Sequence, residues 1–298
     1  MKSAAFAYHR PDTVSEAAQM LGEFGDDAKI LAGGQSLVPM LAMRLTYFEN
    51  LIDISRVDEL KNIERRDDEL VVAAGTPHAL VGMDDEVAES VPLLTLSTPH
   101  IGHFQIRTRG TLGGAIAHAD PAAEYAAVAL ALDATMEATS SRGRREISAA
   151  EFFTGLWETS LAADEILTAV RFPVWGGRCG FAVEEFCRRH GDFAIAGATA
   201  AVQLDDDDRV ARCGIGLLGL GSTPLRGAAA EDAVTGQPAD AVTAEEVGRL
   251  AMGGLSEIPS DLQGSADYRS RVGAAMVARA WAAAAREATT SGAEAVHA

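Results

Sequence analysis

The sequence predicts an α+β fold in two parts, and three observations carry that expectation. Short apolar strand-like runs alternate with helical stretches over the first half of the chain. From "FAVEEF" to "GIGLLGLG" strand-like segments succeed one another directly, as an antiparallel meander would. The last third, from Thr243, is alanine-rich and helical. A length of 298 residues with 48% hydrophobic side chains supports a large core and more than one unit.

In chain order, "DTVSEAAQML" offers Thr13 as N-cap with Glu16 three residues on, and Ala17, Met20, Leu21 and Phe24 as the apolar stripe of a helix. "AKIL", "NLIDI" and "ELVVAAG" are strand candidates bounded by turn-formers. "DPAAEYAAVALAL" reads as a buried helix opened by Pro121, and "DATMEATS" with "REISA" as a hairpin around Arg142 and Gly143. Ser148 and Glu151 form a second capping-box pattern, and "EILTAVRFPV" is the strand that closes this half. Proline and glycine cluster in "PVWGGRCG", which marks a boundary. We therefore expect one domain over 1–175, itself two α/β halves split near 55–60, a second over 176–288 with a small antiparallel sheet on helices, and a frayed tail over 289–298.

Composition excludes several functions. With 25 basic against 43 acidic residues the formal charge is −18, which disfavours nucleic acid and anionic membrane as partners. No apolar run is long enough to span a bilayer, and the first residues lack a signal-peptide core. Cys179, Cys187 and Cys213 stand far apart in no ligand spacing, so neither zinc nor an iron–sulfur cluster is expected in this chain. A reducing, cytoplasmic setting fits these features. The aspartates Asp205 to Asp208 read as a solvated hairpin tip, because they lack the turn glycine of a calcium loop.

Three motif matches compete. "GIGLLG" fits the glycine spacing of a dinucleotide-binding turn, but "LGSTPLRG" stands where a helix should begin, so packing of a strand is the better reading. Ser36, His118 and Asp120 could be imagined as a triad, yet "GGQSLV" lacks the second glycine of a nucleophile elbow. The third match is the pair of double-glycine loops in "KILAGGQSLVPML" and "RGTLGGAIAHADPAAE". Glycines let successive amides converge on one anion, and each loop leads into a segment able to start a helix. Neither contains the Gly-Lys-Ser/Thr of a P-loop. On spacing alone, an anionic dinucleotide and a pair of plain tight turns both stay open.

"AGGQSLVPML", "LIDIS", "HIGHFQIRTRGTLGGAIAHADPAAE" and "RRHGDFAIAGATAAV" stand in the order and separation seen in the FAD-binding medium subunits of molybdenum hydroxylases, and the chain resembles that family over essentially its whole length. It resembles in particular the medium subunit of aerobic carbon monoxide dehydrogenase and its relatives; xanthine dehydrogenase carries the same module in a longer chain. The resemblance implies a two-part FAD-binding domain of the type shared with vanillyl-alcohol oxidase, then the flavoprotein C-terminal domain. It implies that Ile30, Leu31, Ala32, Gly33, Gly34, Gln35, Ser36 and Leu37 wrap the FAD pyrophosphate, and that Thr111, Gly113 and Gly114 form the opposing wall. Ile101 and Gly102 would pack near the flavin, and Glu124, or Asp120, would hydrogen-bond ribityl or ribose hydroxyls. Thr168 and the loop "RRHGDF" would approach from the second domain, and Phe193 matches a position where some relatives carry a tyrosine over the flavin ring.

The sequence departs from the family at Ala115, which replaces a polar residue, at Glu184, where xanthine dehydrogenases carry a lysine, and at Phe193. His118 is counted with the site but reads equally as a structural histidine, as His190 does. Glu124 could simply favour its helix dipole, and Arg107 and Arg109 could face partner carboxylates or solvent. No catalytic residue and no metal ligand is expected. The resemblance further implies an oxidoreductase subunit that passes electrons from [2Fe-2S] clusters on a small subunit to an external acceptor. The molybdopterin cofactor would sit on a large subunit, and the assembly would be a dimer of heterotrimers. Two other readings are a self-contained FAD-dependent oxidase or dehydrogenase, which would need a base beside the flavin, and a non-catalytic nucleotide-binding module.

Overall fold

The computed structural model describes residues 2–295. Thr13 opens the first helix as its pattern requires: its hydroxyl accepts from the Glu16 amide at 3.1 Å, while the Glu16 carboxylate accepts from the Asp12 amide at 2.9 Å. This helix, α1 (Val14–Phe24), buries Val14, Ala17, Ala18 and Leu21 on a parallel sheet of order β1 (Ala7–His9), β3 (Asn50–Asp53), β2 (Ala28–Leu31). Helix α2 (Leu37–Met43) lies between β2 and β3.

Next comes an all-antiparallel five-stranded sheet, in the order β4 (Ile63–Arg66), β5 (Glu69–Ala73), β10 (Ile166–Pro173), β6 (Thr135–Ser140), β7 (Gly143–Ser148). The strand expected to close this half, β10, is its middle strand. Short helices α3 (His78–Val81), α4 (Asp85–Ser90), α5 (Pro92–Ser97) and α6 (Phe104–Arg107) lead into α7 (Leu112–His118) and α8 (Glu124–Ala131). Helix α8 starts three residues later than Pro121 predicts, because Asp120 and Pro121 form the preceding turn. The Ser148–Glu151 pair bonds side chain to side chain at 2.9 Å without capping the one-turn α9 (Ala149–Phe152), which precedes a small hairpin, β8 (Phe153–Gly155) and β9 (Glu158–Thr159).

The meander is β11 (Arg178–Phe186), β12 (Ala196–Leu204), β13 (Val210–Leu218) and the short β14 (Leu225–Arg226), all antiparallel. The four aspartates form the β12–β13 turn, where the Asp205 carboxylate accepts from the Asp207 and Arg209 amides at 3.0 and 2.8 Å. Among the described residues no cluster of His, Cys, Asp and Glu could hold a metal, and no helix is long and apolar enough to cross a membrane. Helices α10 (Ala228–Val234), α11 (Ala244–Gly253) and α12 (Ala266–Ala295) cover the sheet. Buried Arg269 of α12 donates to the Ile195 and Gly219 carbonyls and forks onto Asp261 at 2.9 and 2.8 Å. Helix α12 runs to Ala295, so part of the tail expected to fray from 289 lies within it, and residues 296–298 lie outside the described ones.

Glycines set the distances between layers. A Cβ on Gly214 or Gly216 would stand 2.0 Å from the Ala131 carbonyl oxygen or 2.1 Å from that of Ala127. These glycines are two apart on β13 and the carbonyls four apart on α8, so strand and helix repeats match along one contact line. "GIGLLG" is therefore a packing surface for α8 and not a phosphate loop. Gly216→Val should destabilise the fold by about 3 kcal/mol or more through overpacking. Gly253→Ala, where a Cβ meets open space, should be neutral or stabilise by about 0.5 kcal/mol. Chemical denaturation of the two variants checks both expectations.

Candidate cofactor site at the glycine loops and the domain junction

Strand β2 ends at Leu31 beside Asp53 of β3, so the first glycine loop leaves the C-terminal edge of the parallel sheet, the edge at which such sheets receive ligands. Gly34 has φ +72°, and the Gln35 side-chain amide braces the turn by donating to the Gly33 carbonyl at 3.0 Å. The backbone amides of Gly33, Gly34, Gln35, Ser36 and Leu37 donate to no acceptor among the described residues, and all five residues are partly accessible. Consecutive free donors around a left-handed glycine suit an anion. Ile30 points the other way, into the small core under α1, while Leu31 packs beside Gly34 and Ala32 beside Gly114.

The second glycine loop differs. Thr111 is the N-cap of α7, and its hydroxyl accepts from the Gly114 amide at 3.1 Å. The Leu112, Gly113 and Ala115 amides donate to the carbonyls of Thr76, Ala74 and Thr111 at 3.0, 2.9 and 3.0 Å. The amides from Leu112 to Ala115 are thus all engaged within the protein. The glycines instead permit contact: a Cβ on Gly113 would lie 2.3 Å from the Ala74 Cβ, and one on Gly33 2.1 Å from the Arg109 carbonyl oxygen. This turn therefore also supports the first loop from behind, while α7 satisfies its own first-turn amides.

His118 and Asp120 lie at the end of α7, and no hydrogen bond joins Ser36 to either, so no triad forms. Asp120 accepts from the Ala122 amide at 2.9 Å and from the Trp157 indole at 3.2 Å, and the indole lies parallel to the His118 ring with centroids 6.2 Å apart. Trp157, at the β8–β9 turn, holds φ +58°, which is costly for a bulky residue. Nothing in the sequence distinguishes it from a core tryptophan. The Thr168 carbonyl accepts from the Ala74 amide at 2.9 Å, and the Ala74 carbonyl in turn accepts from Gly113, so its backbone stands one residue from the second glycine loop while its side chain bonds elsewhere. Thr168 belongs to β10 in the first domain, and its hydroxyl donates to the Glu137 carbonyl at 3.0 Å and faces a small cavity lined by Glu59, Glu64 and Arg144. A bulge in β10 between Leu167 and Ala169 turns it there.

The remaining site residues meet where the two domains touch. Gly102 has φ +49°, and the Arg107 guanidinium donates to the Ile101 and Gly102 carbonyls at 3.1 and 2.9 Å, so Arg107 is the clamp of this loop and not a free cation. Gly191, at φ +85°, brings the "RRHGDF" loop so close that a Cβ would lie 2.7 Å from the His103 ring. Phe193 and Phe104 are 61% and 67% exposed, unusual for phenylalanines in otherwise packed loops. At the start of α8, burial and then the Glu185 charge push the Glu124 carboxyl up to about 8. Glu185, on β11, has a side chain only 2% exposed, 3.5 Å from His100 Nδ1, and burial pushes it up to about 7. The sequence offered no signal for Glu185: "VEEF" reads as alternation in a strand.

Comparison with known proteins fits this architecture. Residues 4–175 match the family described as FAD binding domain in molybdopterin dehydrogenase, and residues 181–284 match the CO dehydrogenase flavoprotein C-terminal domain. The chain belongs to the FAD-binding medium subunits of the molybdenum hydroxylases. It is 40% identical to the 6-hydroxypseudooxynicotine dehydrogenase complex subunit alpha of Paenarthrobacter nicotinovorans, over 94% of each chain. It is 36% identical to the carbon monoxide dehydrogenase medium chain of Hydrogenophaga pseudoflava, over 92% of this chain and 95% of that one. Among solved structures, quinoline 2-oxidoreductase from Pseudomonas putida 86 superposes with a TM-score of 0.90 at 37% identity, covering 97% of this chain and 99% of that one. As a medium subunit of this family the chain is an oxidoreductase component. Its residues fit FAD: free amides and a bare backbone for a pyrophosphate, and exposed aromatic rings with a carboxyl at the junction for the rest.

The raised Glu124 carboxyl carries a pH dependence. Folding favours its neutral form, so its contribution is complete below about pH 4.5 and is lost as the pH rises through about 8. In the flavin-free chain, Glu124→Gln should match the parent's Tm near pH 5 and exceed it by pH 8 to 9. Thermal unfolding across that range tests this, and a constant offset between the two proteins would contradict it.

Proposed function

We propose that this chain holds one FAD noncovalently between its two domains and is the electron-exit subunit of a molybdenum hydroxylase. The observation that carries the reading is the run of unpaired amides from Gly33 to Leu37. In this reading those amides neutralise the pyrophosphate, with Ala32, Thr111, Gly113 and Gly114 fixing their position from behind. Ile101 and Gly102, held by Arg107, and Phe193 bound the flavin ring, and Glu124 or Asp120 serves the sugar hydroxyls. Bound FAD accepts electrons singly and passes them on in pairs, chemistry that belongs to the cofactor. The chain's own residues place it, shield it from water and set the charge around it.

Electrons enter from [2Fe-2S] clusters on a small subunit, and substrate is hydroxylated at a molybdenum cofactor on a large subunit, in a cytoplasmic dimer of heterotrimers. Covering all three roles takes several chains; the relative named above as a complex subunit points the same way.

Acid precipitation of the purified complex should release a yellow chromophore, one FAD per chain of this kind. Gly34→Val should abolish FAD retention with the circular dichroism unchanged, because a branched side chain at φ +72° both strains the loop and displaces its amides. Full flavin occupancy in that variant would place the pyrophosphate elsewhere. Steady-state oxidation of a substrate by this chain alone would favour the self-contained flavoenzyme instead.

A further inference from the structure

We infer that Glu185, paired with His100 and facing Glu124 across the domain junction, is a proton-holding group of the flavin site, taking up a proton when bound FAD is reduced and releasing it on reoxidation. The inference rests on the placement of FAD proposed above. Three observations carry it. The Glu185 side chain is almost fully buried near the end of β11, and its Oε2 has no hydrogen-bonding partner. Its neighbour at 3.5 Å, His100 Nδ1, comes from the other domain and directly precedes Ile101 and Gly102. Glu124 begins the helix that both domains share, and Glu185 is the foremost charge acting on it.

A buried carboxylate without a cation is costly, so such a group keeps its proton or finds a partner. Among the described residues no arginine or lysine pairs with Glu185; Arg188 and Arg189, on the loop after β11, are exposed, and Arg188 donates to the Leu262 carbonyl at 3.0 Å. From β11 and the loop after it come Glu184, Cys187, His190 and Asp192; from α8 and the turn before it come Glu124, Tyr125 and Asp120. Arg107 is engaged by the carbonyls of Pro99, Ile101 and Gly102. Burial and the neighbouring His190 lower His100, which favours a neutral ring whose Nδ1 can accept from a protonated Glu185 carboxyl. Burial holds Glu185 up at about 7, so a small change of local charge decides its protonation.

The balance of the step is simple. Two electrons arrive from the iron–sulfur subunit; one proton goes from solvent to the flavin ring and one to the Glu185 carboxylate. The added negative charge on the ring is thereby offset within the junction. When the electron pair leaves for the acceptor, both protons return to solvent.

The test is a potentiometric titration of the FAD in the purified holo-complex between pH 6 and 9, with FAD content measured in parallel. The parent should take up about two protons per electron pair near pH 7 to 8, and Glu185→Gln about one, at unchanged FAD content. The reduced-minus-oxidised infrared spectrum of the parent should gain a protonated-carboxyl band that Glu185→Gln lacks. A variant that keeps its FAD and the parent's proton uptake overturns the inference, and loss of FAD from the variant makes Glu185 a binding residue instead. A parent complex without FAD overturns the cofactor placement itself. Should Glu185→Gln fail to assemble, His100→Asn should shift the pH window of the extra proton, and an unshifted window counts against the pairing.

Discussion

Helix α8 is the part on which the rest of the molecule depends. Every residue from Tyr125 to Ala131 is buried, a pattern possible only for a helix with protein on all sides. One side joins the large core under the five-stranded sheet, and the other lies on β13 where Gly214 and Gly216 remove the side chains that would hold it off. Its alanines keep the helix thin, and the strand glycines let it sit at backbone contact. The two domains thus share one element instead of meeting across a conventional interface, and the Gly219 amide adds a bond to the Pro121 carbonyl at 2.9 Å just ahead of it.

That wedge also fixes the site. The first residue of α8 is Glu124, so the geometry that locks the sheets together points a carboxyl at the junction where Gly102 and Gly191 bring their loops into contact. The glycine loops divide the work differently from their common pattern. The 33–37 loop keeps its amides free while the 111–114 turn, whose Leu112, Gly113 and Gly114 amides are engaged, holds it from behind. Rigidity in one loop is what allows open valence in the other.

Much of this was legible in the sequence, and the failures have physical causes. The strands "AKIL", "NLIDI" and "ELVVA", the hairpin, the meander and the Thr13 cap stand where local pattern puts them, since each is decided by residues close together in the chain. Strand β1 and the one-turn helices from His78 to Arg107 are too short for periodicity to register. "GIGLLG" could be sorted from a nucleotide loop because Pro224 and Gly227 stand where a helix would have to run, but its packing partner, the carbonyl edge of α8, is distant in sequence. The site residues follow from the resemblance, and the structure adds their local bonding. Thr168 sits at a bulge with its hydroxyl bonded within its own sheet, Arg107 is a loop clamp, and the second glycine pair supports the first loop. Glu185 and Trp157 escaped because burial of a carboxyl and a left-handed tryptophan are properties of tertiary structure that no short motif encodes.

Arg269 carries a consequence for how the polypeptide is made. Its guanidinium ties α12 to the start of β12, the end of β13 and Asp261, and α12 also lies against β11, where Gly180 would place a Cβ 2.0 Å from the Ala284 carbonyl oxygen. The meander therefore cannot close when its own strands have been synthesised. It waits, with one apolar face uncovered, until α12 has emerged and docked. The domain that completes the junction is finished last, after the first domain has had time to form its sheet. Biosynthesis thus leaves an interval in which the glycine loop exists and the cleft is still open, and a dinucleotide could enter before the second domain shuts over it.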